Sequence, residues 1–239
     1  MPVKAVIFDM FDTLMLIEKE HAFYSPALKC LHESLVQNGI KVPYRKFTKA
    51  YVEARDALFA EADANLEEPH FSLRVSNALR TLGYDLDPFG EVVSAATLAF
   101  CEGFMKYVRI DPDTEETLRR LHKNYKLGII SNFAIPECVN RLLEKHGLSK
   151  FFDVIIISAA INKRKPSPKI FDEALKRLCT RASEAVFVGD TMDADIKGAK
   201  NIGMKAILIG RRPQEKIENV FPDQTIKNLS ELLATLETL

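Results

Sequence analysis

The chain opens on a short apolar run, Val3-Lys4-Ala5-Val6-Ile7-Phe8, rich in β-branched and aromatic residues and ended by Asp9. That pattern predicts a buried strand. From about residue 18 to residue 107 the apolar positions switch to helical spacing. Leu28, Leu31 and Leu35 share one face; so do Phe47, Tyr51, Ala54 and Leu58, then Phe71, Val75, Ala78 and Leu82, then Val92, Ala96, Phe100 and Phe104. Gly and Pro punctuate the stretch near 39–43, 67–69 and 83–88, so four helices with no strand between them are expected. Beyond residue 110 the texture changes again. Lys126-Leu127-Gly128-Ile129-Ile130, Val154-Ile155-Ile156-Ile157, Ala185-Val186-Phe187-Val188 and Ala206-Ile207-Leu208-Ile209 read as strands, with amphipathic segments between them and a last helix from about Ser230. Asp111-Pro112 and Ser167-Pro168 read as helix starts, each a cap residue followed by proline at the first helical position.

Short apolar strands alternating with amphipathic helices predict an α/β fold, a parallel sheet covered on both faces. The isolated first strand is most simply a member of that sheet. The expected architecture is therefore a Rossmann-like core from residues 1–16 and 109–239, with an all-helical cap, residues 17–108, inserted after the first strand.

Composition narrows the function. The 239 residues carry 33 Lys+Arg against 33 Asp+Glu, so no global positive field recruits nucleic acid or a membrane surface. An anionic substrate must be held by a local site. No run of about 18 apolar residues is present to span a bilayer. The first apolar run meets an acid too early for a signal peptide. The four cysteines are scattered with no Cys-x-x-Cys pair, which fits reduced, mostly buried thiols in a cytoplasmic protein.

Ligands of open α/β sheets bind beyond the carboxyl ends of the strands. After the first strand comes Asp9-Met10-Phe11-Asp12-Thr13, after the second Ser131-Asn132, after the third Ser158 and then Lys163-Arg164-Lys165-Pro166, and after the fourth Gly189-Asp190-Thr191-Met192-Asp193-Ala194-Asp195. Carboxylates, hydroxyls and a lysine would meet at one edge. Clustered carboxylates need neutralising, and a hard divalent cation, magnesium where phosphates are concerned, does this. Thr13 and Ser131 can hydrogen-bond anionic oxygens, and Lys165 adds a point charge, while Lys163 and Arg164 are expected in solvent.

This constellation resembles the haloacid dehalogenase superfamily. Phe8-Asp9-Met10-Phe11-Asp12-Thr13-Leu14 resembles its first motif, Ile130-Ser131-Asn132 its second, Lys165-Pro166-Ser167-Pro168 its third and the stretch from Val188 to Gly203 its fourth. The resemblance implies that Asp9 is a covalent nucleophile, attacking phosphorus in phosphatases or carbon in dehalogenases. It implies Lys165 as the second catalytic residue and Thr13, Ser131 and Asn132 as substrate-binding. It implies magnesium held by Asp9, the Phe11 carbonyl, Asp190 and Asp195, with Asp193 in a capping or supporting role. The chain departs from the pattern at Phe11, where phosphatases of the family carry an aspartate that protonates the leaving group, and at Asp12, where they carry glycine. Dehalogenases also lack that second acid. They, however, replace the first acid of the fourth motif by serine, have a tyrosine where this chain has Phe171, and have an asparagine where it has Met192. The expected function is a magnesium-dependent phosphatase acting on a small phosphate ester through an aspartyl-phosphate on Asp9. Two rivals stand beside it: a metal-independent 2-haloacid dehalogenase, and a weakly active protein that binds a phosphometabolite or a partner. The substrate and the oligomeric state are not legible.

Overall fold

A computed structural model of the chain describes residues 2–18, 22–211 and 217–239. Strand β1 (Ala5–Phe8) lies between β4 (Lys126–Ser131) and β6 (Ala185–Gly189), parallel to both. With β5 (Val154–Ile157), β7 (Lys205–Ile209) and β8 (Gln224–Ile226) they form, among the described residues, a six-stranded sheet in the order β5-β4-β1-β6-β7-β8. Every pairing in it is parallel. The order reverses at β1, which puts the end of that strand at a switch point, the usual ligand crevice of such sheets.

All four β1 residues are buried, as a central strand covered on both faces requires. Val6 and Phe8 point into one apolar layer, Ala5 and Ile7 into the other. The second layer is closed by α8 (Pro168–Arg177), whose Ile170, Phe171, Ala174 and Leu175 are buried at helical spacing, and by α9 (Lys197–Asn201). The first is closed by α5 (Thr114–Leu121), α6 (Pro136–Lys145) and α10 (Leu232–Glu237). A single turn, α7 (Ser158–Ile161), follows β5.

The four predicted helices are present: α1 (Tyr24–Gln37), α2 (Tyr44–Ala62), α3 (Phe71–Thr81) and α4 (Glu91–Met105). They leave and rejoin the sheet through a ribbon of two antiparallel three-residue strands, β2 (Met15–Ile17) and β3 (Val108–Ile110). The buried apolar residues of this helical block run without a break into those of the first layer. Among the described residues no helix is long and apolar enough to cross a membrane.

Three local expectations are corrected. Pro112 does not open a helix: Asp111 Oδ1 accepts from the Asp113 N–H at 2.9 Å, forming a turn, and α5 begins at Thr114. Ser167 precedes Pro168 at the start of α8 as predicted, but its side chain makes no cap bond. The thiols are free, but only Cys101 and Cys138 are buried; Cys30 is half-buried and Cys179 exposed.

Candidate active site

The first turn beyond β1 carries Asp9, held by its backbone N–H donating to the Val188 carbonyl at 2.8 Å. Asp12 sits in the left-handed region at φ 57° and its Oδ1 accepts from the Ile17 N–H at 3.1 Å, so that carboxylate stitches the start of the ribbon. Phe11 bridges to Met15, and its half-buried ring lies 4.9 Å from Phe133 and 5.5 Å from Phe104.

Beyond β6 the chain makes a wide π-type turn, Met192–Ile196, that swings Asp195 back over the strand end. A Cβ on Gly189 would stand 2.5 Å from Asp195 Cγ, so the carboxylate occupies the space a side chain would fill. Thr191 fixes it, donating to Asp195 Oδ2 from its N–H at 2.9 Å and from its hydroxyl at 2.7 Å. Asp9, Asp190 and Asp195 are all buried, and a ligand oxygen from each lies within 4.8 Å of the others. Asp193 is exposed and stands apart from this group.

Lys165 reaches into the cluster from the loop before α8. Its Nζ is 2.6 Å from Asp9 Oδ1 and 2.7 Å from Asp195 Oδ1. Asn132, just past β4, holds the lysine backbone from both sides: Oδ1 accepts from the Lys165 N–H at 2.8 Å and Nδ2 donates to its carbonyl at 3.0 Å. Burial pushes the Asp9 carboxyl up to about 7; Lys165 opposes this, and Asp195 and Asp190 add to it. Burial alone would lower the Lys165 ammonium, but Asp195 and Asp9 outweigh it and hold it up near 12. Lys165 thus sits between two of the three carboxylates, Asp9 and Asp195.

The structure thus gathers Asp9, Lys165, Asp190 and Asp195, with Asn132 supporting them. Thr13 and Ser131 are fully buried, and their hydroxyls have no hydrogen-bond partner among the described residues. Lys163 and Arg164 are not in solvent, contrary to expectation. They fasten the Lys165 loop to the helical block: Lys163 Nζ lies 3.0 Å from Glu67 Oε1, Arg164 pairs with Asp63, and the Arg164 N–H donates to the Leu66 carbonyl at 2.9 Å. Their charge found partners on a segment far away in sequence, which no local pattern announces.

Sequence reasoning missed Arg211. It lines the same cavity, its Nη2 is 2.7 Å from Asp111 Oδ2, and it donates to the Thr13 carbonyl at 3.4 Å. The rule that found the other groups finds it too when extended to the residues after β7.

A hard, all-oxygen carboxylate cluster at the switch point of a parallel sheet, paired with a buried lysine, is a donor set suited to a hard divalent cation. The haloacid dehalogenase-like hydrolase family matches residues 3–203, and the chain belongs to that family. It is 31% identical to a glyceraldehyde 3-phosphate phosphatase of Methanopyrus kandleri, over 99% of this chain and 98% of the relative. It is 32% identical to one of Pyrococcus furiosus, over 98% and 93%. Among solved structures it resembles a 2-haloacid dehalogenase from Pseudomonas syringae (31% identity, TM-score 0.75, 99% of each chain). It also resembles a phosphatase of the family from Thermococcus onnurineus (27% identity, TM-score 0.64, 98% of each chain).

Proposed function

We propose that the protein is a magnesium-dependent phosphatase acting on a small phosphorylated metabolite through an aspartyl-phosphate on Asp9. The observation that carries this reading is the buried set Asp9, Asp190 and Asp195, with ligand oxygens within 4.8 Å of one another, and Lys165 paired with Asp9 and Asp195. The set fits a hard divalent cation. Asp9, Asp190, Asp195 and the Phe11 carbonyl would hold magnesium, which supplies charge neutralisation at the phosphoryl oxygens.

The chain's own groups do the rest. An Asp9 oxygen attacks phosphorus, the ester P–O bond breaks, and the leaving oxygen takes the bonding pair. Water then attacks the phosphorus of the acyl phosphate, which frees inorganic phosphate and restores the carboxylate. Lys165 holds Asp9 in place and offsets charge on the transferring group. The Thr13 and Ser131 hydroxyls donate to phosphoryl oxygens, and Asn132 keeps Lys165 in register. The helical block, residues 17–108, serves as the cap that excludes water from a core built of residues 1–16 and 109–239. A cytoplasmic setting completes the reading, since it keeps the free thiols reduced.

The names of the two archaeal relatives agree with phosphatase chemistry. The test is a panel of phosphate esters and 2-haloacids assayed with and without magnesium. Phosphate release should require the metal. Asp190→Ala should lower it on the order of 10²-fold or more, since even outer-shell metal partners are worth 10–100-fold. Asp9→Asn should abolish it, since an amide cannot form the acyl phosphate. Halide release from 2-chloropropionate in excess chelator would instead establish the dehalogenase, as would Asp9→Asn activity within twofold of the parent exclude Asp9 as nucleophile.

A further inference from the structure

We infer that the part of the site beyond the phosphate is built for an apolar, flat group, so that the preferred substrates are phosphate esters of aromatic or comparably apolar alcohols rather than of polyols. This rests on the phosphatase reading above and adds the substrate class to it.

The cavity measures ≈ 500 Å³, room for a ring or two beside a phosphate. Its floor is the charged set around Asp9. Much of the rest of its lining, among the described residues, is aromatic: Phe11, Phe23, Phe104 and Phe133 all line it. Phe104 holds the wall together, with ring centroids 4.7 Å from Phe23, 5.2 Å from Phe133 and 5.5 Å from Phe11. Phe104 itself is fully buried, whereas Phe11, Phe23 and Phe133 each remain part-exposed at the cavity. A concave patch of part-exposed rings is the signature of an apolar contact surface.

Most polar groups along the lining, among the described residues, already have partners. Both amide atoms of Asn132 engage the Lys165 backbone. The Thr191 hydroxyl donates to Asp195. Asp12 accepts from the Ile17 N–H. Arg211 is tied through Nη2 to Asp111; its Nε has no partner among the described residues, but it is buried and so turned away from the open cavity. A polyol seated against this wall would exchange water for phenyl faces at each hydroxyl and leave those hydroxyls unpaired. An apolar ring gains there instead, by area removed from water and by edge or offset stacking.

Steady-state kinetics on the magnesium-loaded protein separate the cases. The substrates are 1-naphthyl and benzyl phosphate, glycerol 3-phosphate and glyceraldehyde 3-phosphate, with acetyl phosphate as a small reference. The KM values for the two aromatic esters should lie at least about tenfold below those for the two polar ones. Benzyl phosphate matters because its leaving alkoxide is as poor as that of glycerol, so its KM reads the wall and not the leaving group. Phe23→Ala should raise the naphthyl KM about fivefold and leave the acetyl phosphate KM unchanged. Phe133→Leu, which keeps the bulk and removes the ring, should act in the same direction if Phe23→Ala perturbs folding. Equal or lower KM for the polar esters would overturn the inference and leave the phosphatase standing. Calorimetry with benzylphosphonate against 2,3-dihydroxypropylphosphonate decides the point without turnover. Tighter binding of the benzyl compound supports an apolar subsite even if no ester is hydrolysed, the outcome that would remove the phosphatase reading; equal or weaker binding overturns the inference.

Discussion

Phe11 stands where a proton donor for the leaving group would sit, two residues beyond Asp9, and its phenyl ring cannot transfer a proton. A positioned general acid is worth about 10²–10⁴-fold, most for an alkoxide and least for nitrophenolate, which leaves unprotonated. Phe11→Asp is therefore expected to raise kcat on glycerol 3-phosphate about 10²-fold or more relative to 4-nitrophenyl phosphate. The Phe11 carbonyl belongs to the backbone and survives the change. Packing opposes the gain: the ring contacts Phe104 and Phe133, and an unpaired carboxylate placed there costs more than the roughly 1–3 kcal/mol of a neutral polar group. A melting scan separates the two effects. A folded Phe11→Asp protein with no selective gain on the alkyl ester would mean that the substrate or another residue already supplies the proton. At this scale Asp9, Lys165, Asp190 and Asp195 were legible because each follows an apolar strand, and parallel strands bring their ends together. Arg211 follows a strand too. The partners of Lys163 and Arg164 could not be read, because a surface ion pair leaves no periodicity in either of its halves.

Elements long enough to show a period were legible; short ones were not. The α1–α4 stripes each span two turns or more, and twelve of the fifteen residues that define them are buried, Leu58, Leu82 and Val92 being half-buried. The strands β2, β3 and β8 hold three residues each, fewer than alternation needs to declare itself. The π-type turn at Met192–Ile196 looks like an ordinary helix start in sequence; in the structure it brings Asp195 into the space that the missing side chain of Gly189 leaves open. Within the block, α1 lies along α4 at a close approach that Gly103 permits: a Cβ there would meet Ala27 Cα at 2.7 Å. Backbone atoms yield little, so the helices would have to separate. Gly103→Ala should cost about 1–3 kcal/mol despite its better helix propensity. That corresponds to a Tm lower by roughly 2–4 °C per kcal/mol for a chain of this size. Calorimetry checks it, and an unchanged or raised Tm would show that the two helices are not held at this spacing.

For the whole molecule the question is how a substrate enters. The helical block meets the sheet domain along three lines. One is the ribbon, where the Glu18 N–H donates to the Tyr107 carbonyl at 2.7 Å and the Asp111 N–H to the Leu14 carbonyl at 3.1 Å. Arg211 anchors that ribbon to the end of β7 through Asp111. The second is α4 against α6, with Glu102 and Arg141 3.4 Å apart, together with the start of α3, whose Phe71 N–H donates to the Ala134 carbonyl just before α6 at 2.9 Å. The third is the clamp of Lys163 and Arg164 on the 63–67 segment. Of the three, only the ribbon is continuous in the chain, so it is the expected hinge, and the other two lines must part for Phe23 and Phe104, the block's share of the aromatic wall, to lift away from Asp9. Their ion pairs are part-exposed and worth at most about 1 kcal/mol each, less in salt. The apolar contacts of Phe104 with Phe11 and Phe133 then supply much of what holds the block down. The block is expected to swing as one body on the ribbon, opening in the free protein and closing on a phosphate analogue. Small-angle scattering with and without vanadate should show a smaller radius of gyration when vanadate is bound. Raising NaCl to about 0.5 M should widen that difference by loosening the clamp in the free form. Equal radii in all four conditions, together with a solvent channel open to Asp9 in crystal structures of both states, would show that substrate reaches the site without the block moving.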